Sequence, residues 1–132
     1  MKKTDHKIKI IVEMTDTGFS AYAVNFPIYT TGGTASELMH NALEASNLYF
    51  EDQQIQLSQE NIQFEVDFQQ FFKYYKVLNA NFLAQRIGIN PTLLSQYVQG
   101  HKKPSPKQSE KILYGIRQIG QELSEINLIY ER

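Results

Sequence analysis

The segment Ala80–Ser105, ANFLAQRIGINPTLLSQYVQGHKKPS, decides how the chain is read: two short helical patterns flank a glycine, and a basic loop follows them. Leu83, Ala84 and Ile87 recur at helical spacing, and Ile89, Leu94 and Tyr97 form the next apolar set. Gly88 directly follows the first pattern, where a left-handed backbone ends a helix at little steric cost. Asn90 is placed to cap a second helix with Pro91 at its first position, since proline has the right φ and lacks only an N–H that would be orphaned anyway. Ala84 is small where two helices must approach. Local chemistry therefore predicts helix, tight turn, helix.

The polar residues left on the second helix are Asn90, Thr92, Ser95, Gln96 and Gln99, all short or amide-bearing and none charged. Asn and Gln pair bidentately with adenine in the major groove of DNA, and Ser and Thr donate to or accept from several bases. Beyond Gly100 come His101, Lys102 and Lys103, where phosphate contacts would fix register without reading sequence. The expected DNA-binding residues are thus Asn90, Pro91, Thr92, Ser95, Gln96, Gln99, Lys102 and Lys103, and the expected partner is double-stranded DNA. The competing reading is a small helical bundle with an ordinary solvated face.

The whole chain has 132 residues, 42% of them hydrophobic, enough for one domain or two small ones. It has no cysteine, so neither a disulfide framework nor a thiolate metal site is available. No apolar run reaches the roughly 20 residues that span a bilayer, and Met1-Lys2-Lys3 is not followed by a signal-type segment, so the cytoplasm is the expected location. The net charge of −1 hides an uneven distribution. Residues 1–68 carry four Lys against ten Asp or Glu, a balance of −6, and residues 69–132 carry nine Lys or Arg against four acids, a balance of +5. A basic second half suits DNA, and an acidic first half suits a basic partner.

In chain order, Ile8, Ile10, Val12 and Met14 alternate with polar neighbours as a half-buried strand. Thr15 to Gly18 offers a turn, Phe19 to Val24 a second strand, and Tyr29 to Gly32 a short third strand at an edge. Thr34 and Glu37 read as a capping box that starts a helix with Leu38, Ala42, Ala45 and Tyr49 on its core face and Leu43, Leu48 and Phe50 beside it. Ile62, Phe64 and Val66 alternate as a fourth strand. Asp67 and Gln70 suggest another capping box ahead of Phe68, Phe71, Phe72 and Tyr75. Ser105, Pro106 and Gln108 open a last helix whose stripe runs through Ile112, Leu113, Ile116, Ile119, Leu123 and Ile126. The expected fold class is α+β: a β-β-β-α-β sheet-plus-helix domain over residues 1–66, then an all-α helix-turn-helix domain over residues 67–132.

Leu83-Ala84-Gln85-Arg86-Ile87-Gly88-Ile89-Asn90, Leu94-Ser95-Gln96-Tyr97 and Gly100-His101-Lys102-Lys103-Pro104-Ser105 resemble the Xre/Cro-type repressors, with Pro91 standing where that family often has glutamine. Gly18-Phe19-Ser20-Ala21, Asn25-Phe26-Pro27, Thr31-Gly32-Gly33-Thr34 and the Glu37 to Tyr49 helix resemble the HicB antitoxins, whose first domain is a partial RNase H-like fold. That resemblance implies a type II antitoxin that neutralises a small basic HicA-like ribonuclease toxin and represses its own operon. An acidic module would cover an RNA-binding surface by imitating phosphate charge, and the candidate toxin-binding acids are Asp16, Glu37, Glu44, Glu51 and Asp52. One recognition helix reads few base pairs, so a homodimer or higher even oligomer is expected, joined by the Ile112–Ile126 stripe or the sheet edge near Tyr29.

An enzyme is not expected. RNase H-like catalysis needs clustered carboxylates for divalent metal, and the first strand supplies only Glu13 on its polar side while Asp67 reads as a helix cap. His6, His40 and His101 are far apart in sequence and suggest neither a metal site nor a triad, and no cofactor is implied. The alternative function is a stand-alone helix-turn-helix regulator whose first domain senses a small molecule or only oligomerises.

Overall fold

The computed structural model describes residues 2–3 and 6–128. Its first element is a two-residue strand, β1 (Lys2–Lys3), which pairs in parallel with a second short strand, β5 (Ile55–Gln56), in a small sheet that the alternation pattern did not predict. The main sheet begins with β2 (Ile8–Thr15) and turns through Asp16 and Thr17 into β3 (Gly18–Ala23), with Thr15 paired to Gly18. The short edge strand β4 (Tyr29–Gly32) follows β3 antiparallel, and β6 (Ile62–Val66) lies on the far side of β2 and runs parallel to it. Strand order is β4-β3-β2-β6.

Ile8, Ile10, Val12 and Met14 are buried, as their alternation predicts. Ile11, on the opposite face, is only 8% exposed as well, and its register partner is Tyr22. β2 is therefore buried on more than the one face the pattern indicates. The helix α1 (Ala35–Tyr49) packs on β4 and β3. Close approach there depends on Gly32, where an added Cβ would lie 2.4 Å from the Leu38 backbone nitrogen. Thr34 Oγ1 accepts the Glu37 N–H at 3.1 Å, as expected of the cap, but Glu37 Oε1 accepts from Gly33 at 3.3 Å rather than from Thr34. Leu38, Ala42 and Ser46 are the buried positions of α1, whereas Leu48 and Tyr49 are exposed, because the helix faces the sheet with a narrower stripe than its apolar content suggests. Past α1, Phe26, Tyr49 and Phe50 form a ring cluster, and a 3-10 turn (Glu51–Gln53) leads into β5.

Two side-chain amides replace backbone pairing in this half. Asn47 donates Nδ2 to the Leu57 carbonyl at 3.1 Å and accepts the Leu57 N–H at 2.7 Å. Gln70, in α2 (Phe68–Tyr74), accepts the Met14 N–H and donates to the Met14 carbonyl. Asp67 caps α2 through the Gln70 N–H at 3.1 Å, while its own N–H donates to the Val12 carbonyl. α2 packs against β2, and the Tyr74 hydroxyl lies 3.0 Å from Asp16 Oδ1.

These contacts move the domain boundary. The two compact units are Met1–Tyr74 and Tyr75–Arg132, so α2 belongs with the sheet and the break falls after Tyr74 rather than after Val66. The fold is α+β. The second unit is all-α, built from α3 (Ala80–Ile87), α4 (Pro91–Val98) and α5 (Pro106–Glu125). Leu83, Ala84, Ile89, Leu94, Tyr97 and Ile112 make its core. Among the described residues, no helix is long and apolar enough to cross a membrane.

Candidate nucleic-acid interface

Every junction of the second unit is fixed by local hydrogen bonds. Asn79 caps α3 by accepting the Phe82 N–H at 3.1 Å, and Gly88 ends it at φ +76°, donating to the Ala84 carbonyl. Asn90 Oδ1 accepts from Thr92 at 2.8 Å and from Leu93 at 3.3 Å, with Pro91 opening α4. Asn90 is exposed, but its side-chain oxygen is engaged as a cap, which leaves the amide nitrogen as the group to face a ligand.

α4 has two chemically distinct sides. Leu94 and Tyr97 are buried, while Thr92 and Gln99 are exposed and Ser95 and Gln96 half-buried. At 3.6 residues per turn, Thr92, Ser95, Gln96 and Gln99 fall within an arc of about 100° opposite that core pair. Within the arc Gln99 Nε2 donates to Ser95 Oγ at 3.3 Å, which pre-orients both. Pro91 is exposed at the start of the helix.

The basic loop is attached to this helix through one atom. After α4 the chain turns at Gly100, at φ +78°, and the Gln96 carbonyl accepts N–H groups from both His101 at 2.9 Å and Lys102 at 3.3 Å. His101, Lys102 and Lys103 are exposed. Ser105 then accepts the Gln108 N–H at 3.2 Å and starts α5, which places the exposed Lys107 in the first turn beside the loop lysines. Lys107 was not singled out from sequence, although the Ser105-Pro106 start signal fixes its position. Lys111 Nζ donates to the Gly88 carbonyl at 3.2 Å, and Arg86 is ion-paired with Glu122. Those two cations therefore brace the unit.

The acidic candidates of the first unit come from three places in its fold. Glu37 and Glu44 lie seven residues apart on the exposed side of α1, and Glu51 and Asp52 occupy the 3-10 turn after its end. Asp16 sits in the β2–β3 turn. From Glu37 to the end of α1 at Tyr49 the helix rise gives about 18 Å. Glu37 holds Gly33, Glu44 lies 3.3 Å from His40, and Asp16 meets Tyr74, so three of the five also have intramolecular partners.

Among the described residues no group of three or more His, Cys, Asp or Glu side chains is arranged to hold a metal ion. No family model matches the chain, and no curated protein or solved structure matches it either.

Proposed function

We propose that this protein is a cytoplasmic DNA-binding repressor whose first unit is an antitoxin module directed at a small basic ribonuclease. The observation that carries the DNA half is the α4 arc of Thr92, Ser95, Gln96 and Gln99, uncharged and opposite the core, next to a lysine-bearing loop. Uncharged donors and acceptors suit base edges in the major groove, and Lys102, Lys103 and Lys107 suit the flanking phosphates. From Tyr75 onward the chain carries eight Lys or Arg against four acids, a balance that favours a polyanion. Operator DNA is bound by pairs of copies, one recognition helix per half-site.

Two observations support the antitoxin half. In the main sheet the order β2-β3-β4-α1-β6, with β6 parallel to β2, agrees with the β-β-β-α-β core implied by the HicB resemblance. Residues 1–74 carry five Lys against ten acids, and Glu37 and Glu44 on α1 with Glu51 in the turn after it give the unit an exposed acidic surface. A basic RNA-binding surface would be occupied by it in place of RNA. The test is co-expression with any short basic protein encoded beside this chain, followed by co-purification and RNA cleavage with and without the chain. Binding of the purified chain to its own upstream DNA, measured by anisotropy, tests the repressor half separately. Cleavage unaffected by a stoichiometric excess of the chain would end the antitoxin reading, and equal affinity for upstream and scrambled DNA would end the repressor reading.

A further inference from the structure

At the hairpin end of the main sheet lies a cleft of about 290 Å³, whose walls include Thr15, Thr17, Ser20, Tyr29, Thr31 and Glu37. Its polar side chains are hydroxyls and one carboxylate, and among the described residues no basic side chain lines it. Small-molecule sites run from about 300 to 1,000 Å³. This cleft has room for one long side chain rather than for a cofactor.

Ser20 is its buried member. It is 8% exposed, lines the cleft, and its hydroxyl has no hydrogen-bond partner among the described residues. A hydroxyl taken out of water and left unpaired costs free energy unless a ligand pairs it. Register puts Glu13 of β2, Ser20 of β3 and Thr31 of β4 side by side on one face of the sheet. A second carboxylate comes from Glu37 in the first turn of α1. Its Oε1 accepts the Gly33 N–H, while its Oε2 and the Thr17 carbonyl lie 3.9 and 3.7 Å from the point a Gly33 Cβ would occupy. Two oxygens thus converge on a spot that glycine leaves open. Neither Glu13 nor Glu37 has an ion-pair partner among the described residues, whereas Asp16, between two of the cleft's threonines, is engaged by Tyr74.

Acceptors around an unpaired hydroxyl, with two uncompensated carboxylates, call for a cation rich in donors. A divalent ion favours several carboxylates, and only one lines the cleft. A guanidinium carries its N–H donors in a rigid planar fork and lies flat on aromatic rings. Tyr29, 67% exposed, supplies such a ring on the cleft wall. Free arginine would bring its own carboxylate toward Glu13 and Glu37, and an arginine within a polypeptide brings none. We infer that this cleft receives one arginine side chain of a protein partner, with Glu37, Ser20 and Thr31 accepting from the guanidinium and Glu13 adding charge from the neighbouring strand. The inference rests on the antitoxin reading only for the source of that arginine.

The test is titration of the full chain with Nα-acetyl-arginine amide, followed by amide chemical shifts in NMR spectra. Saturable shifts centred on Thr17, Ser20, Thr31, Gly33 and Glu37 should give a Kd on the order of 1 mM, the range open to so small a ligand. Nα-acetyl-lysine amide and free arginine should each bind several-fold more weakly. Glu37→Gln keeps an oxygen for the Gly33 N–H but loses the charge, and should weaken binding about tenfold. Gly33→Ala sets a methyl between the two converging oxygens without a clash in the chain itself, and should also weaken it about tenfold. Glu60→Gln, which removes the same charge elsewhere in the unit, should leave the Kd unchanged. The same spectra report whether each variant is folded. Absence of saturable shifts at these residues, equal binding of the lysine amide or of free arginine, or a Kd indifferent to Glu37→Gln or to Gly33→Ala would each overturn the inference. No ribonuclease is present, so the cleft can fail while the antitoxin reading stands, and a ribonuclease unaffected by the chain can end that reading while the cleft still binds its probe.

Discussion

Gln70 holds Met14 by both of its backbone polar groups, accepting its N–H at 2.8 Å and donating to its carbonyl at 2.9 Å across 56 residues of sequence. β6 ends at Val66, opposite Val12, so the next β2 groups on that side would otherwise have lost their strand partner. The carboxamide continues the ladder in place of a peptide. Gln70→Ala is expected to cost about 2 kcal/mol, since two part-buried backbone groups lose their partners at once. Gln70→Glu should also destabilise, because a carboxylate cannot donate to the Met14 carbonyl. Urea unfolding of the three chains decides this, and equal midpoints for Gln70→Ala and wild type would count against it.

Ser46 offers a change in the other direction. It is fully buried on α1, and its hydroxyl has no hydrogen-bond partner among the described residues. Ser46→Ala removes a desolvated polar atom without enlarging the side chain, and alanine is the better helix former. A gain of about 1 kcal/mol is expected, read as a higher thermal midpoint.

Gly32 should tolerate nothing larger. A methyl group there would lie 2.4 Å from the backbone nitrogen and 2.6 Å from the Cα of Leu38, and neither can swing away as a side chain does. Gly32→Ala is expected to destabilise the first unit by about 3 kcal/mol, forcing α1 off the sheet. Gly33→Ala next to it, whose nearest neighbour is 3.7 Å away, is the control for the turn itself.

Tyr22 gives the sheet an alkaline limit. Burial, then the Glu13 and Asp67 carboxylates, raise its pKa above the ordinary 10.0. The folded state thus keeps the phenolic proton longer than the unfolded one. This contribution is fully present below the ordinary value and is lost as pH rises through the raised one. Tyr22→Phe should flatten the fall in stability above about pH 10, and Glu13→Gln should move the Tyr22 titration, followed by ultraviolet absorbance, toward lower pH.

On the proposed DNA reading, Gln96→Ala should relax sequence preference by about 1–3 kcal/mol. Lys103→Ala should instead weaken binding to all sequences and reduce the slope of log K against log salt by about one. Anisotropy titrations at several salt concentrations separate the two, and parallel losses for both variants on every sequence would place the recognition helix elsewhere.

What could be read from sequence was whatever neighbouring residues settle among themselves. The Asp16-Thr17 turn, the Thr34, Asn90 and Ser105 caps and the Gly88 stop are all enforced within a few residues, and each lies where local chemistry puts it. What escaped depends on partners brought together by folding. Asp67 and Gln70 have the spacing of a capping box, yet the glutamine reaches back to Met14, and that bond helps draw α2 into the first unit. Lys2–Lys3 and Ile55–Gln56 are too short for any period to register. For the candidate site, the phase of Thr92, Ser95, Gln96 and Gln99 was legible, while the engagement of Asn90 as a cap and the bracing roles of Arg86 and Lys111 needed distances.

The doubly used carbonyl of Gln96 has a mechanical corollary. Because the peptide that carries this side chain also anchors His101 and Lys102, helix and loop share one pivot and swing as one body. On the proposed DNA reading, grip and discrimination are then geared together: a change that tilts the lysines also rotates the glutamine, so shortening the loop by a residue would alter which sequence is preferred as well as how tightly any is held.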